Sequence, residues 1–354
     1  MNFSLFISIL FLTIGTTIPQ VCFAASSEKT VNIGVLYWSM NIPGQVAMRK
    51  GLEAEVLRIN AKSIKNNLPK IHLIPMVAGD GSAGVERQIA QMLEMVKQAP
   101  NVIIVQPTDN AALAAPLRAA NAAGIPVVAY DQYISGGNLA AYITSDNQQA
   151  GYLDGEYIAA QYDNQYEIKL ILVEYPRVSS TVERLNGFLD ALREHGQAYK
   201  ILKTYEAVEP ITGKLAGKQI LQDFPTKGSI DILFSVNDGG GLSVVDALFK
   251  AGRSEIMVAT VDGDPKSIEN ISKSRLTRID AAQFCGPLGA EALKSAYVIA
   301  TGHVPAKQSL VPVFPVTRET LSRYTGWSGP IPEQFTKPWS DPHPIWDGKV
   351  RVAN

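Results

Sequence analysis

The chain has 354 residues, 46% of them hydrophobic, with 32 Lys plus Arg against 33 Asp plus Glu. A low charged fraction beside a large apolar one excludes a disordered chain, and a formal net charge of −1 offers no long-range attraction to nucleic acid or an anionic membrane surface. The length exceeds what one hydrophobic core usually supports, so two domains are expected.

Residues 1–24 read as a cleavable export segment. Residues 3–12 form an apolar run, shorter than the roughly 20 residues of a membrane span, and no charged side chain precedes Glu28. Small residues follow, and cleavage is expected after Ala24, with Cys22 and Ala24 at the two small positions. The leading Met1-Asn2-Phe3-Ser4 departs from the usual pattern in lacking Lys and Arg. Lipid attachment at Cys22 is disfavoured, because Gln20-Val21 lacks the usual small residue. Loss of Cys22 leaves Cys285 alone, so the mature chain can form no internal disulfide. Cys285 sits in the apolar stretch 281–288 and reads as a buried small hydrophobe.

Further along, strands are expected at 31–37, 71–77, 102–105, 127–130 and 141–144, alternating with helices at 46–60, 85–98, 111–123 and 148–161. The pattern then restarts, with strands at 169–173, 201–205, 230–235 and 257–261 and helices at 181–195, 215–223, 242–251 and 265–273. Near-continuous apolar strands between helices imply α/β architecture with parallel sheets covered on both faces. Residues 101–131 and 230–262 echo each other. Each runs strand, turn with Asp109 or Asp238, helix, Ala-Gly, strand, and then Asp131 or Asp262. The general grammar of α/β units would give such an echo. So would two similar lobes that set carboxylates at matching strand ends. Ligands of open parallel sheets bind beyond the carboxyl ends of strands, where Asp131, Asn237 and Asp262 fall. Two facing lobes would make a cleft lined by them.

Gly79-Asp80-Gly81-Ser82-Ala83-Gly84 matches a dinucleotide fingerprint between a strand and a helix. An exported chain rarely meets a free dinucleotide, and a glycine-rich turn capped by Ser82 explains the same residues. The four histidines, His72, His195, His303 and His343, show no metal-ligand spacing. No nucleophile elbow occurs. No catalytic residue, metal or cofactor is therefore expected. The carboxylates suit binding. Ionised Asp accepts several hydrogen bonds, Arg offers a planar fork of donors, and aromatic faces suit the apolar side of a sugar ring. Tyr37, Trp38, Tyr130 and Tyr133 are the aromatic candidates.

The stretches Gln106-Pro107-Thr108-Asp109, Gly124-Ile125-Pro126-Val127-Val128 with Asp131, Ser145-Asp146-Asn147 with Gly151, Glu183-Arg184 with Gly187-Phe188, Asn237-Asp238, Asp262-Gly263 and Pro315-Val316-Thr317 resemble, in order and spacing, the type I periplasmic binding proteins of the ribose/galactose type. The resemblance covers nearly all of residues 31–320. It implies two Rossmann-like lobes joined by a three-segment hinge, with passages near Ser145, Gln283 and Pro312. The lobes would be 25–145 plus 284–312, and 146–283 plus 313–323. It places sugar-hydroxyl contacts on Asp131, Arg184, Asn237, Asp262 and Gln283. Two departures argue against ribose. Asn41-Ile42-Pro43-Gly44-Gln45 lacks the family's clamp aromatics, for which Tyr37 and Trp38 could substitute beside Asn41. Gln132 stands where ribose binders carry Arg. The resemblance implies a non-enzymatic periplasmic carrier that passes a sugar or similar polar solute to the membrane permease of an ABC importer. A sensory protein reporting to a membrane histidine kinase or chemoreceptor is the alternative. Residues 324–354 hold three of the four tryptophans and five prolines. Proline at this density forbids helix. The segment is expected to run extended as an apolar strap over one lobe, or to dock a membrane partner.

Overall fold

A computed structural model describes residues 29–340 and 342–353. The expected export segment and its Cys22 lie outside the described residues. The first unit runs β1 (Thr30–Tyr37), α1 (Pro43–Asn66), β2 (Lys70–Val77), α2 (Gly81–Lys97), β3 (Val102–Val105), α3 (Ala114–Ala122), β4 (Val127–Tyr130) and β5 (Ala141–Ser145). The second runs α4 (Asn147–Ala159), β6 (Ile168–Glu174), α5 (Ser179–Glu194), β7 (Tyr199–Glu206), α6 (Pro210–Asp223), β8 (Ile232–Ser235), α7 (Asp238–Lys250), β9 (Met257–Asp262), α8 (Pro265–Ser272) and β10 (Thr277–Ala282). The chain then returns through α9 (Cys285–Ala300) and β11 (Gln308–Val311) and leaves again into β12 (Phe314–Val316).

Strand order decides between the two readings of the sequence echo. One sheet is ordered β2-β1-β3-β4-β5-β11 and the other β7-β6-β8-β9-β10-β12, so the two lobes share one topology. Pairing is parallel among these strands except at β12, which runs antiparallel to β10. Strands covered on both faces need unbroken apolar runs. Val102-Ile103-Ile104-Val105 and Val127-Val128-Ala129-Tyr130 supply them and are fully buried. β4 and β9 are equivalent, which sets Asp131 and Asp262 at matching ends. Their neighbours do not match. Asp238 is buried, whereas the half-buried Asp109 accepts from the backbone N–H groups of Ala111 and Ala112 at 2.8 Å and closes a local turn.

Two helix pairs close the lobes on either side of the hinge, α1 with α9 and α4 with α5, and each packs backbone on backbone. A Cβ at Gly51 would stand 2.2 Å from the Gly286 carbonyl oxygen, and one at Gly151 would stand 1.8 Å from that of Arg184. The glycine-rich turn after β2 is structural, since a Cβ at Gly84 would meet the Gly79 carbonyl oxygen at 2.0 Å. Its helix begins after Asp80. Ser82 lies inside the first turn and is not the cap, contrary to the expectation. Cys285 is buried and free at the start of α9.

The C-terminal segment differs most from expectation. It holds the short pair β13 (Phe335–Thr336) and β14 (Ile345–Trp346) and ends in β15 (Arg351–Ala353), which pairs antiparallel with β11. It therefore crosses from the second lobe back to the edge of the first sheet, a fourth passage beside the expected three. Most of it runs over the surface as expected, but Phe335, Lys337, Ser340 and Trp346 are buried anchors. Trp346 is 1% exposed, packs against Phe314 at 5.1 Å between ring centroids, and donates Nε1 to the Val313 carbonyl oxygen at 2.7 Å. On α4, the Glu156 carboxylate is fully buried. The segment supplies it with Lys337 Nζ at 2.6 Å, Trp339 Nε1 at 3.2 Å and the Ser340 hydroxyl. At the hinge, Arg351 pairs with Asp146.

Removing one partner of a buried ion pair leaves an uncompensated charge, at a cost of roughly 3–5 kcal/mol. Trp339 and Ser340 would still donate to Glu156, so Lys337→Ala is expected to lose about 3 kcal/mol in urea unfolding. Lys337→Met with Glu156→Gln, which removes both charges, should recover most of it. Wild-type stability in the single variant would show that the pair contributes nothing.

Candidate functional site

The carboxyl ends of the two sheets face each other, and the lobes are shut. Gln132 of the first lobe accepts at Oε1 from the Ser180 hydroxyl of the second at 2.7 Å and from its backbone N–H at 3.3 Å. Tyr133 N–H donates to Ser179 Oγ at 3.0 Å, and Asn110 N–H to the Arg177 carbonyl at 3.3 Å. Between them lies a cavity of about 30 Å³. A water needs roughly 10–15 Å³ by this measure, so a sugar-sized solute enters only when the lobes separate.

Two carboxylates, a guanidinium and several carboxamides converge on that cavity. Asp131, Gln132, Arg184, Asn237, Asp262 and Gln283 all line it, together with Trp38. The Asp131 carboxylate accepts from Gln106 Nε2 at 2.9 Å. Burial pushes its pKa up to about 6, against the pull of the Gln106 hydrogen bond and of Arg184. Asp262 accepts at Oδ1 from Arg184 Nη1 at 2.9 Å and Gln283 Nε2 at 2.6 Å. Burial also raises its pKa, while Arg184 and Gln283 pull it back. Arg184 is 3% exposed. It donates Nε to Asn147 at 2.9 Å and Nη1 to the Val236 carbonyl at 2.9 Å as well as to Asp262. Among the described residues nothing accepts from its Nη2, so those two protons remain for a solute. Gln283 also accepts from the Ser145 hydroxyl at 2.6 Å, which ties two hinge passages together at the site.

Backbone strain marks the two carboxylates. Asp131 has φ +66° and Asp262 φ +128°, regions that side chains with a Cβ rarely adopt. Such outliers persist only where the surroundings impose them, and they cluster at functional sites.

Three expected site residues take other roles. Tyr37 is fully buried under Arg49, whose guanidinium lies 4.8 Å from the ring centre, and it does not line the cavity. It ends β1 on the face that packs against α1, so Trp38 is the aromatic that reaches the cavity. Asn41 sits outside the cavity and donates its side-chain amide to Asp80 Oδ2 at 2.5 Å. Gln132 lines the cavity but spends its carbonyl oxygen on the opposite lobe. Asn237 is partly committed too, capping α7 through Gly240 N–H at 3.1 Å and donating to the Val208 carbonyl at 3.0 Å. Of the other aromatics, Tyr130 is buried behind the site and Tyr133 opens onto an outer groove. Sequence reasoning missed Gln45, Met48 and Thr181, which also line the cavity, and Gln106, which orients Asp131. Gln106 follows an apolar strand directly, as Asp131 does, and that position was the available signal.

Among the described residues no group of three His, Cys, Asp or Glu side chains is placed to hold a metal ion, and no helix is long and apolar enough to cross a membrane.

Affinity for the solute should depend on Asp131 being ionised, because only the carboxylate accepts at both oxygens. Binding is expected to be constant above pH 7 and to weaken by up to about tenfold per unit below pH 6, where Asp131 must release one proton for the solute to bind. The stability of the empty protein runs the other way. The folded pKa lies above the ordinary aspartate value of 3.8, so this group's contribution falls as pH rises from about 4 to about 6. Calorimetry and thermal melts across pH 4–8 check both trends. Asp131→Asn should flatten the binding profile and remove only this group's share of the stability trend, since other buried carboxylates are raised as well, and pH-independent binding by the wild type would contradict the assignment.

Comparison with known proteins places this geometry. A periplasmic binding protein domain matches residues 33–303. The chain is 25% identical over 280 residues to the ribose import binding protein of Escherichia coli K12, covering 79% of this chain and 88% of that one. It is 24% identical over 270 residues to the ribose import binding protein of Bacillus subtilis 168, covering 76% and 82%. Among solved structures, the Caulobacter myo-inositol binding protein bound to myo-inositol superposes with a TM-score of 0.70 at 22% identity, over 84% of this chain and 96% of that one. A solute binding protein of Actinobacillus succinogenes with bound D-allose gives 0.69 at 23%, over 83% and 100%. With two lobes of one topology and a polar cavity shut between them, the chain belongs to the periplasmic binding protein family, whose members carry solutes and do not transform them.

Proposed function

We propose that this protein captures a small neutral polyhydroxyl solute, a sugar or polyol, by lobe closure and delivers it to the membrane permease of an ABC importer. The carrying observation is the convergence of Asp131, Asp262 and Arg184 from both lobes on one cavity. Two carboxylates accept from neighbouring hydroxyls, and the free Nη2 protons of Arg184 donate to a third oxygen. The net charge of these three side chains is small, which suits a neutral solute better than an amino acid or a phosphate. Import fits the relatives named for it. No feature of the site favours the sensory alternative. Residence in the periplasm follows from the export segment read in residues 1–24. Hydrogen bonds to charged groups contribute roughly 1.5–3 kcal/mol each, so a few suffice for tight binding. Ribose is the less favoured sugar, because Gln132, whose carbonyl oxygen is held by Ser180, offers a single amide group where ribose binders carry the donor fork of Arg.

A thermal-shift panel of D-ribose, D-allose, myo-inositol, amino acids and nucleosides tests the reading. A ligand at 100 times its Kd adds about 2.7 kcal/mol of stability. A sugar or polyol is expected to give the largest shift. Stabilisation by amino acids or nucleosides alone would refute the solute class.

A further inference from the structure

We propose that Trp327, in the C-terminal segment beyond the matched family domain, is a positioning residue for the site carboxylate Asp262, so that this segment sets the affinity of the site.

The inference starts from the matching ends of β4 and β9. A carboxylate at positive φ follows β4 directly and another ends β9, and each strained residue needs its following peptide held. In the first lobe a neighbouring strand does this. Thr144 of β5 donates its hydroxyl to the Asp131 carbonyl oxygen at 2.9 Å. Thr144 stands one residue beyond the Tyr130–Ile143 pair, in register with Asp131. In the second lobe the residue in register with Asp262 is Ala282, which has no side-chain donor. A larger side chain would also be crowded there, since a Cβ placed on Gly263 already falls 2.4 Å from that of Ala282.

Asp280 of β10 holds the peptide after Asp262 at its other end, accepting from Gly263 N–H at 2.8 Å, and the side-chain donor to its oxygen comes from the C-terminal segment. Trp327 Nε1 donates to the Asp262 carbonyl oxygen at 2.6 Å, alongside Gln283 N–H at 3.0 Å. Trp327 is itself fixed from the other lobe. Its carbonyl accepts from Gly286 N–H at the start of α9 at 2.9 Å, and its ring edge faces Gly44 at the start of α1. Gly44 lines the cavity. The indole thus spans the two lobes at the strained turn that presents Asp262 to Arg184 and to the cavity. Positioning through Asp262 rests on the proposed binding function, but the effect on the turn itself does not.

Three variants decide it. Trp327→Phe keeps the ring and removes the donor. Trp339→Phe removes an indole donor from the same segment, at Glu156 and away from the cavity. Asp262→Asn replaces the carboxylate with a neutral carboxamide. The ligand used is whichever of D-ribose, D-allose and myo-inositol stabilises the wild type most. Trp327→Phe is expected to weaken calorimetric affinity about five- to tenfold, as for loss of one hydrogen bond, with little change in melting temperature. Trp339→Phe should lower the melting temperature and leave affinity unchanged. In the Asp262→Asn background, Trp327→Phe should cost little more, because both act through one group. Hydrogen exchange supplies a readout without ligand, with faster exchange expected at the Gly263 and Asp264 amides in Trp327→Phe. Wild-type affinity in Trp327→Phe, equal losses in Trp339→Phe, or unchanged exchange at that turn would each overturn the proposal. If none of the three polyols binds the wild type, the solute class fails, and the exchange result still decides the positioning.

Discussion

Asp131→Ala is expected to weaken solute binding by at least about 100-fold, the loss of two charge-assisted hydrogen bonds at roughly 1.5–3 kcal/mol each, while the empty protein stays folded. Two opposed effects act on the empty protein. The carboxylate is buried, and its raised pKa shows that its ionised form is under-compensated in the closed protein. Removing it relieves that desolvation. Against this, alanine at φ +66° costs about 1–2 kcal/mol, and Gln106 loses a partner. The melting temperature is therefore expected to move by no more than about 4 °C, since 1 kcal/mol shifts a domain of this size by about 2–4 °C. Asp131→Asn tolerates positive φ better and should separate charge from backbone, with a melting temperature at or above that of wild type and affinity still reduced. Calorimetric affinity and melts of the unliganded forms check this. An Ala variant that binds as wild type would remove Asp131 from the site, whereas one that fails to fold would mark it as structural.

Such a site was legible in the sequence because its positions follow from sheet architecture. Doubly covered parallel strands must be apolar throughout, so their ends are sharp, and β3 and β4 have the bounds expected from the sequence. Polar residues at or just beyond their ends fall at the cleft, as Asp131, Asn237 and Asp262 do. Tyr37 was not legible in this way, because parity at the end of a strand decides whether a side chain faces α1 or the cleft. β10 and α9 were hidden for another reason. The apolar stretch 281–288 runs from strand through hinge passage into helix, so neither a period of 2 nor one of 3.6 governs it. Proline density correctly excluded helix from the C-terminal segment. Burial of Trp346 and Lys337 depends on Phe314 and Glu156, residues distant in sequence, and local pattern carries no trace of them.

Gly151→Val is expected to destabilise the protein by about 4 kcal/mol or more, above the usual 1–3 kcal/mol of overpacking. Where α4 crosses α5 no side chain separates the backbones. A Cβ at Gly151 would lie 1.8 Å from the Arg184 carbonyl oxygen, one at Gly187 would lie 2.1 Å from that of Gln148, and one at Gly155 would lie 2.4 Å from that of Phe188. Backbone atoms cannot swing aside as a side-chain tip can, so the helices must separate over two turns. Loss of a mid-helix glycine gains at most about 1 kcal/mol in propensity, and β-branched Val gains less. The atom struck belongs to Arg184, whose guanidinium holds Asp262 at 2.9 Å. Separation therefore draws Arg184 out of the site, and affinity should fall together with stability. Gly228→Ala is the contrasting change. Its φ is +75° but nothing lies within 4 Å of its added Cβ, so only backbone strain of about 1 kcal/mol is expected. Urea unfolding of both variants, with calorimetry on whatever remains folded, checks the difference. Equal midpoints would mean that α4 and α5 can part freely, and then their close approach could not be what fixes Arg184.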